Sequence, residues 1–284
     1  METKYIDLGL GGGRLMQVAN RTLTQMMSYV IDTPEGETVV IDGGTYTEED
    51  SAALYDLLAA RGKRVALWIV THAHSDHLGA MLYLMEHDRF DIRVDRICFY
   101  FPSLEWLAFK EEFGMNWRFL RQIEQRAIPT LTPAGGDVYT FGSLSVEMLG
   151  VPGDYAAYAK SMNATSIVFK VHFPKRDVLF MGDFDVHAEE NFKTRYGTSC
   201  LKCDILQMPH HGQGGISRDF YALIAPKICL YTAPQWLWEN NKYRCTDPAT
   251  VGKGPFTTLE TRRWMEELGV EASYTLADGD CIFT

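Results

Sequence analysis

Long apolar runs are missing from this chain of 284 residues. Nowhere do about 18 apolar residues follow one another, which is the length a membrane-crossing helix needs. The opening METKYIDLGLGGGRLMQ also lacks the basic start and apolar centre of a secretory leader. A cytoplasmic protein without a membrane partner is the expectation. Cysteine is sparse: Cys98, Cys200, Cys203, Cys229, Cys245 and Cys281 are too few in this length for a disulfide scaffold and read as mostly reduced thiols. Positive charge is short, with 27 Lys and Arg against 37 Asp and Glu and a formal net charge of −10. That balance repels long polyanions and argues against extended nucleic-acid binding. No repeat with a period of about 20 to 50 residues suggests a solenoid or propeller. No Pro, Gly or Ser-rich linker divides the chain, so residues 1–284 are expected to form a single domain.

What is present suits a large core. Apolar residues make up 46% of the chain and charged residues 23%, a globular composition. MMSYVIDT and ETVVIDGG, separated by PEG, read as a hairpin. TYTEEDSAALYDLLAARGKR then offers a capping box at Thr47 and Asp50, an apolar face of Leu54, Leu57 and Leu58, and a stop at Gly62. VALWIV reads as a strand buried on both faces. Beyond it MLYLMEH looks helical, DIRVDRICFYF looks like a strand, and LEWLAFKEEFGMNWRFLRQIEQRAI looks like one or two amphipathic helices. DVYTFGSLSVEMLG, TSIVFKVHF and RDVLFMGDF are β-rich. HAEENFKTRYG reads as a helix, CDILQMPHHG and KICLYTAP as strands, and TTLETRRWMEELG as a helix boxed by Thr257 and Glu260 and stopped at Gly269. ASYTLADGDCIFT reads as a closing hairpin. Strand runs followed by helices, twice over, favour two packed sheets with helices outside.

Chemistry concentrates at strand ends. Directly after VALWIV comes THAHSDHLGA, which crowds His72, His74, Asp76 and His77 together. Imidazole and carboxylate are ligands for borderline to hard divalent metals, and this spacing suits two neighbouring metal positions. VLFMGDFD puts Asp183 after another apolar strand, where its carboxylate is a candidate bridge between two ions. ILQMPHHGQGG places His210 and His211 in a glycine-rich loop that permits close approach to a ligand. Other features read as structure. His87 and His172 stand alone, the Cys200 and Cys203 pair has no second such motif, and GLGGG lacks the strand and helix of a nucleotide fingerprint. Tyr155, Trp236 and Trp238 read first as packing and second as the lining of a substrate pocket.

The run from His72 to His77 resembles the HxHxDH motif of the metallo-β-lactamase fold superfamily. NATSIVF, FMGDFD and MPHHG make the chain similar to the hydrolase domain of ComEC-type competence proteins and their free-standing relatives, over roughly residues 29–283. The resemblance implies an αββα four-layer sandwich, within the α/β class, with a dinuclear site at one edge of its two sheets. It implies that His72 and His74 hold one metal, that Asp76 and His77 hold the other, that Asp183 bridges, and that one of His210 and His211 completes the second site, His211 ahead. It places His210 near the developing oxyanion. The chain departs from the superfamily in VPGDY, where Asp154 stands in place of the histidine of a PGH turn. Either Asp154 is a ligand, or water or Asn163 serves. A carboxylate there makes the site harder, which moves manganese and iron closer to zinc as candidates for the two divalent ions. The implied activity is metal-dependent hydrolysis, with Asp76 orienting a hydroxide and His210 as proton donor or oxyanion stabiliser. Phosphoesters come ahead of carboxylic esters, lactones and thioesters as substrates. A metal or ligand sensor retaining the fold is the alternative from another class, and a diiron redox role a third.

Overall fold

The computed structural model describes residues 3–87 and 90–284, apart from the side chains of Asp154 and Tyr158. The first half supplies β1 (Thr3–Ile6), β2 (Arg14–Gln17), β3 (Ser28–Asp32), β4 (Thr38–Asp42), α1 (Glu48–Ala59), β5 (Arg64–Val65), β6 (Leu67–Val70) and α2 (Ser75–Glu86). It continues with β7 (Arg93–Val94), β8 (Ile97–Phe99), α3 (Leu104–Phe109), α4 (Phe113–Gln125) and β9 (Thr130–Leu131). The second half supplies β10 (Val138–Phe141), β11 (Leu144–Gly150), β12 (Val168–His172), β13 (Asp177–Phe180), α5 (Glu189–Tyr196), β14 (Ile205–Gln207) and α6 (Arg218–Ile224). It ends with β15 (Ile228–Tyr231), α7 (Gln235–Trp238), α8 (Thr258–Glu267), β16 (Ala272–Thr275) and β17 (Asp280–Phe283).

One sheet runs β1-β17-β2-β3-β4-β6-β8-β9, the other β10-β11-β12-β13-β14-β15-β16, and β5 pairs with β7 alone. Strand alternation sorts the side chains into layers. Tyr29, Ile31, Val39 and Ile41 of the first sheet meet Val146, Phe169, Val171 and Phe180 of the second in the central core. The opposite faces turn outward. Val30, Val40 and Trp68 pack under Leu54 and Leu58 of α1 and Leu78 and Met81 of α2. Leu179, Leu206 and Tyr231 pack under Phe192 of α5, Phe220 of α6 and Met265 of α8. The result is the αββα sandwich expected from the sequence.

The predicted β3–β4 hairpin forms, with Tyr29 opposite Ile41. The α1 cap forms only in part: the Thr47 hydroxyl accepts from the Asp50 N–H. The Asp50 carboxylate accepts instead from Arg21 N at 2.5 Å and Thr22 Oγ1 at 3.0 Å, which fastens the loop before β3. Two expectations fail near the C-terminal end of the chain. Thr257 makes no capping box with Glu260, and its hydroxyl accepts from Gly214 N at 2.6 Å. The run 272–283 is no hairpin: β16 extends the second sheet beside β15, whereas β17 enters the first between β1 and β2. Among the described residues no helix is long and apolar enough to cross a membrane.

Candidate metal centre

The first sheet delivers the HxHxDH run through a strand that ends and a helix that begins. β6 is wholly buried and stops at Val70. His72 and His74 lie in the loop, while Asp76 and His77 open α2, so a turn of helix aims the last two back toward the first. Glycine makes this possible. A Cβ on Gly79 would lie 2.3 Å from Tyr46 N, and α2 therefore packs main chain against main chain on the segment after β4. There Gly43 N donates to His77 O at 2.5 Å, and Met27 N donates to Asp76 O at 3.0 Å from the other side. The second sheet delivers the remainder. β13 leads through the left-handed Gly182 (φ +56) to Asp183, and β14 leads to His210 and His211. Both histidines adopt left-handed backbone, with φ 51 and 58. Non-glycine residues hold such angles at a cost of order 1–3 kcal/mol each, and they concentrate at functional sites.

Five side chains converge. His77 Nε2 stands 3.1 Å from Asp183 Oδ1, and His72 Nε2 is 3.9 Å from Asp183 Oδ2. His211 Nε2 is 3.2 Å from Asp76 Oδ2 and 3.6 Å from Asp183 Oδ2. Two donor groups result, His72 with His77 and Asp183, and Asp76 with His77 and His211, each with its atoms within 4.8 Å of one another. Despite those short separations, His77 Nε2, Asp183 Oδ1 and His211 Nε2 are buried without a hydrogen bond from any of the described residues. Such atoms cost about 1–3 kcal/mol apiece when left unsatisfied, and divalent cations at the two donor groups would satisfy them. The residues fit a metal. With nitrogen and oxygen donors and no thiolate, the set is compatible with zinc, manganese or iron.

The opposite ring nitrogens are anchored. His77 Nδ1 meets Asp42 Oδ2 at 2.7 Å, His211 Nδ1 meets Thr232 O at 3.0 Å, and His72 Nδ1 meets Thr71 Oγ1 at 3.1 Å. Partners of this kind fix tautomer and ring orientation in metal sites. Asp42 is itself buried and accepts from Thr71 N at 2.7 Å and Thr71 Oγ1 at 2.8 Å.

Protonation follows from this crowding. Burial pushes the His77 imidazole down, but the Asp183 and Asp42 carboxylates outweigh it and hold the ring protonated well above its ordinary range. His211 is lowered by burial and raised more by Asp183 and Asp76, and it ends at about 9. Burial and the neighbouring His77 lower His72. Burial would raise Asp183 and Asp76, yet the imidazoles of His77 and His211 hold both below the usual carboxylate range. Burial raises Asp42 and lowers His210.

Of the residues singled out in the sequence, His72, Asp76, His77, Asp183 and His211 come together. The grouping cuts across the expected division, because His77 stands between the two groups and His74 belongs to neither. His74 Nδ1 is 3.0 Å from His72 Nε2, and its Nε2 faces Glu112 Oε1 at 3.6 Å. The His210 N–H donates to Gly182 O at 3.1 Å, and its Nδ1 is buried without a partner among the described residues. The Asp154 side chain lies outside the described part of the structure. Trp236 is buried in the core under the second sheet, with Nε1 donating to Leu23 O at 2.9 Å, so for it the packing reading holds. Trp238 lies under the Arg262 guanidinium, and the Tyr155 hydroxyl donates to His187 O. Sequence reasoning missed Asp42, Thr71, Thr232 and Gln25, whose amide reaches Asp76 Oδ2 at 3.3 Å. For Asp42 a signal existed: VVIDGG ends an apolar strand in a carboxylate, as VLFMGD does.

A Bacillus subtilis protein, ComE operon protein 3, is 24% identical over 250 residues, which cover 85% of this chain and 29% of that protein. The chain thus spans less than a third of the length of this curated relative. Among solved structures, the metallo-beta-lactamase fold protein YhfI from Bacillus subtilis matches with a TM-score of 0.51 at 10% identity, covering 92% of this chain and 96% of that one. CmlA, a diiron beta-hydroxylase from Streptomyces venezuelae, matches with a TM-score of 0.53 at 13% identity, covering 92% of this chain and 52% of that one. At such identities these two likenesses speak for the fold alone. The sequence profile of the metallo-beta-lactamase superfamily matches residues 21–219, a span that holds every converging donor, and the chain belongs to that superfamily.

Proposed function

We propose that the chain is a dinuclear metal-dependent hydrolase of small phosphoester substrates. The observation that carries this reading is the pair of donor groups that include His77, in which His77 Nε2, Asp183 Oδ1 and His211 Nε2 are buried without a hydrogen bond from any of the described residues. Two divalent ions, zinc first and manganese or iron as alternatives, supply Lewis acidity that activates water near neutral pH and draws charge from a phosphoryl oxygen. His72 and Asp183 would hold one ion, and Asp76 and His211 the other, with His77 Nε2, which has a single lone pair, serving one of the two. Asp183 suits a shared ligand because Oδ1 faces His77 while Oδ2 faces His211 and His72. His74 is the remaining imidazole for the first ion, and Asp154 stays a candidate there on the strength of the VPGDY turn.

Asp76 would orient the attacking water, its own carboxylate held in place by the Gln25 amide that donates to Oδ2. His210 stabilises the developing oxyanion with a ring N–H. The preference for phosphoesters over carboxylic esters, lactones and thioesters rests on the resemblance to ComEC-type hydrolase domains. The acidic balance of the chain supports a compact substrate over a long nucleic acid. A cytoplasmic setting and a single-domain organisation belong to the same reading. Six free cysteines support the first, and the core shared by both sheets supports the second.

Metal content and hydrolysis of bis(p-nitrophenyl) phosphate and of a simple lactone, measured together, test the proposal. Two ions per chain are expected, with phosphodiester cleavage that falls roughly 100-fold or more in Asp183→Asn, the scale of losing a charge contact in the transition state. Cleavage of the lactone alone moves the substrate to carbonyl chemistry. Two bound ions without turnover of either compound favour the sensor, and a chain that binds no metal overturns the reading.

A further inference from the structure

The turns that deliver Asp183 and His211 leave neighbouring strands, and the ladder between those strands stops short of the site. β13 and β14 run parallel with Val178 opposite Ile205 and Leu179 opposite Leu206. Beyond that point the two chains fork. At the fork sits Gln207, the last residue of β14, with none of its surface exposed. Its Oε1 accepts from Met181 N and Gly182 N, both at 2.9 Å. Its Nε2 donates to Gly182 O at 3.0 Å and Met208 O at 2.8 Å. An amide side chain offers two donors and two acceptor lone pairs, and all four are used. The Gly182 carbonyl also accepts from His210 N at 3.1 Å, so the two turns meet on one oxygen.

We infer that Gln207 is a positioning residue of the metal centre, its amide replacing the missing ladder at the fork and setting the spacing between Asp183 and His211. The inference rests on the dinuclear reading above. Every backbone group that Gln207 holds lies within two residues of Asp183 or of His210. Each turn also has a tether of its own: Asp183 N donates to Ser166 Oγ at 3.1 Å, and His211 Nδ1 meets Thr232 O and Oγ1 at 3.0 and 2.9 Å. Loss of the amide therefore releases the spacing between the turns and leaves each turn folded.

Cobalt(II) titration of the metal-free wild type, Gln207→Met and Gln207→Glu, followed by the visible absorption of the bound ion, reads the two binding steps separately. Thermal unfolding of the same metal-free samples reads the fold. One step is expected to weaken about 10- to 100-fold, the scale of losing an outer hydrogen bond in a metal site, while the other stays within about threefold. Both steps weakening equally, or neither, overturns the inference. Where Gln207→Met does not fold, Gln207→Glu carries the comparison, since it keeps the volume and the acceptor for Met181 and Gly182. If that variant does not fold either, the residue is structural and the inference falls. A wild type that binds fewer than two cobalt ions overturns the dinuclear reading itself, before any variant is considered.

Discussion

His77 meets a carboxylate at each ring nitrogen, Asp42 at 2.7 Å and Asp183 at 3.1 Å. In the metal-free protein this arrangement stores protons that a metal must displace, because only a neutral imidazole ligates. His211, raised from an ordinary value near 6.5 to about 9, stabilises the metal-free fold fully below about 6.5 and loses that contribution as pH rises through about 9. Asp76 and Asp183, both depressed, stabilise it above the ordinary carboxylate value and lose that contribution as pH falls further. Metal uptake near neutral pH is therefore expected to release protons, and affinity should rise with pH up to about 9. Calorimetry in two buffers of different ionisation enthalpy checks this, and a binding heat independent of the buffer would contradict it. The clustered donors were legible in the sequence because they stand side by side at strand ends. Asp42 offered only its place at the end of an apolar strand, because its partners Thr71 and His77 lie 29 and 35 positions away. Gln207 was hidden for a similar reason: its amide acts on main chain 25 and 26 positions earlier.

At the scale of elements, the seat of α2 decides where Asp76 and His77 point. Gly79→Ala would place a Cβ 2.3 Å from Tyr46 N and 2.7 Å from the Thr45 carbonyl carbon, against backbone that has no rotamer to change. The helix must shift. We expect a loss of about 1–3 kcal/mol by urea unfolding, together with loss of at least one metal ion, and a variant that keeps both ions would show that the seat has slack. The β3–β4 hairpin flanking its turn, the all-apolar run of β6 and the apolar face of α1 were read correctly from sequence. The last pair was not. A Gly turn between β-rich runs signals a reversal, but local residues do not say whether the second run returns to the same sheet. Asp280–Phe283 finds a vacant position in the first sheet, and Ala272–Thr275 stays in the second.

Across the whole molecule, the two sheets are joined by aromatic contacts in the central core. Phe169 stacks on Phe180 at 5.3 Å, and Phe180 meets Tyr29 of the opposite sheet edge-on at 5.2 Å. Phe169→Ala should cost about 3–5 kcal/mol and leave metal stoichiometry at its wild-type value. Urea unfolding and metal analysis check the two halves of that statement, and coupled loss of metal would mean that the core itself sets the site. The layered plan was legible because strand runs followed by helices recur in both halves, whereas the order of strands within each sheet was not, since it depends on contacts between distant segments.

The pairing of β17 sets a timetable for folding. Thr3 lies beside Asp280 and Ile6 beside Phe283, while Met16 faces Ile282 from the other side. As the ribosome releases the chain, β1 and β2 emerge well before β17, the strand that lies between them in the sheet. The first sheet thus keeps a gap until β17 is made, and contacts of such long sequence separation close slowly. Until residues 280–283 emerge, the inner edge of β2 is an open pairing surface that a chaperone or another nascent chain can reach.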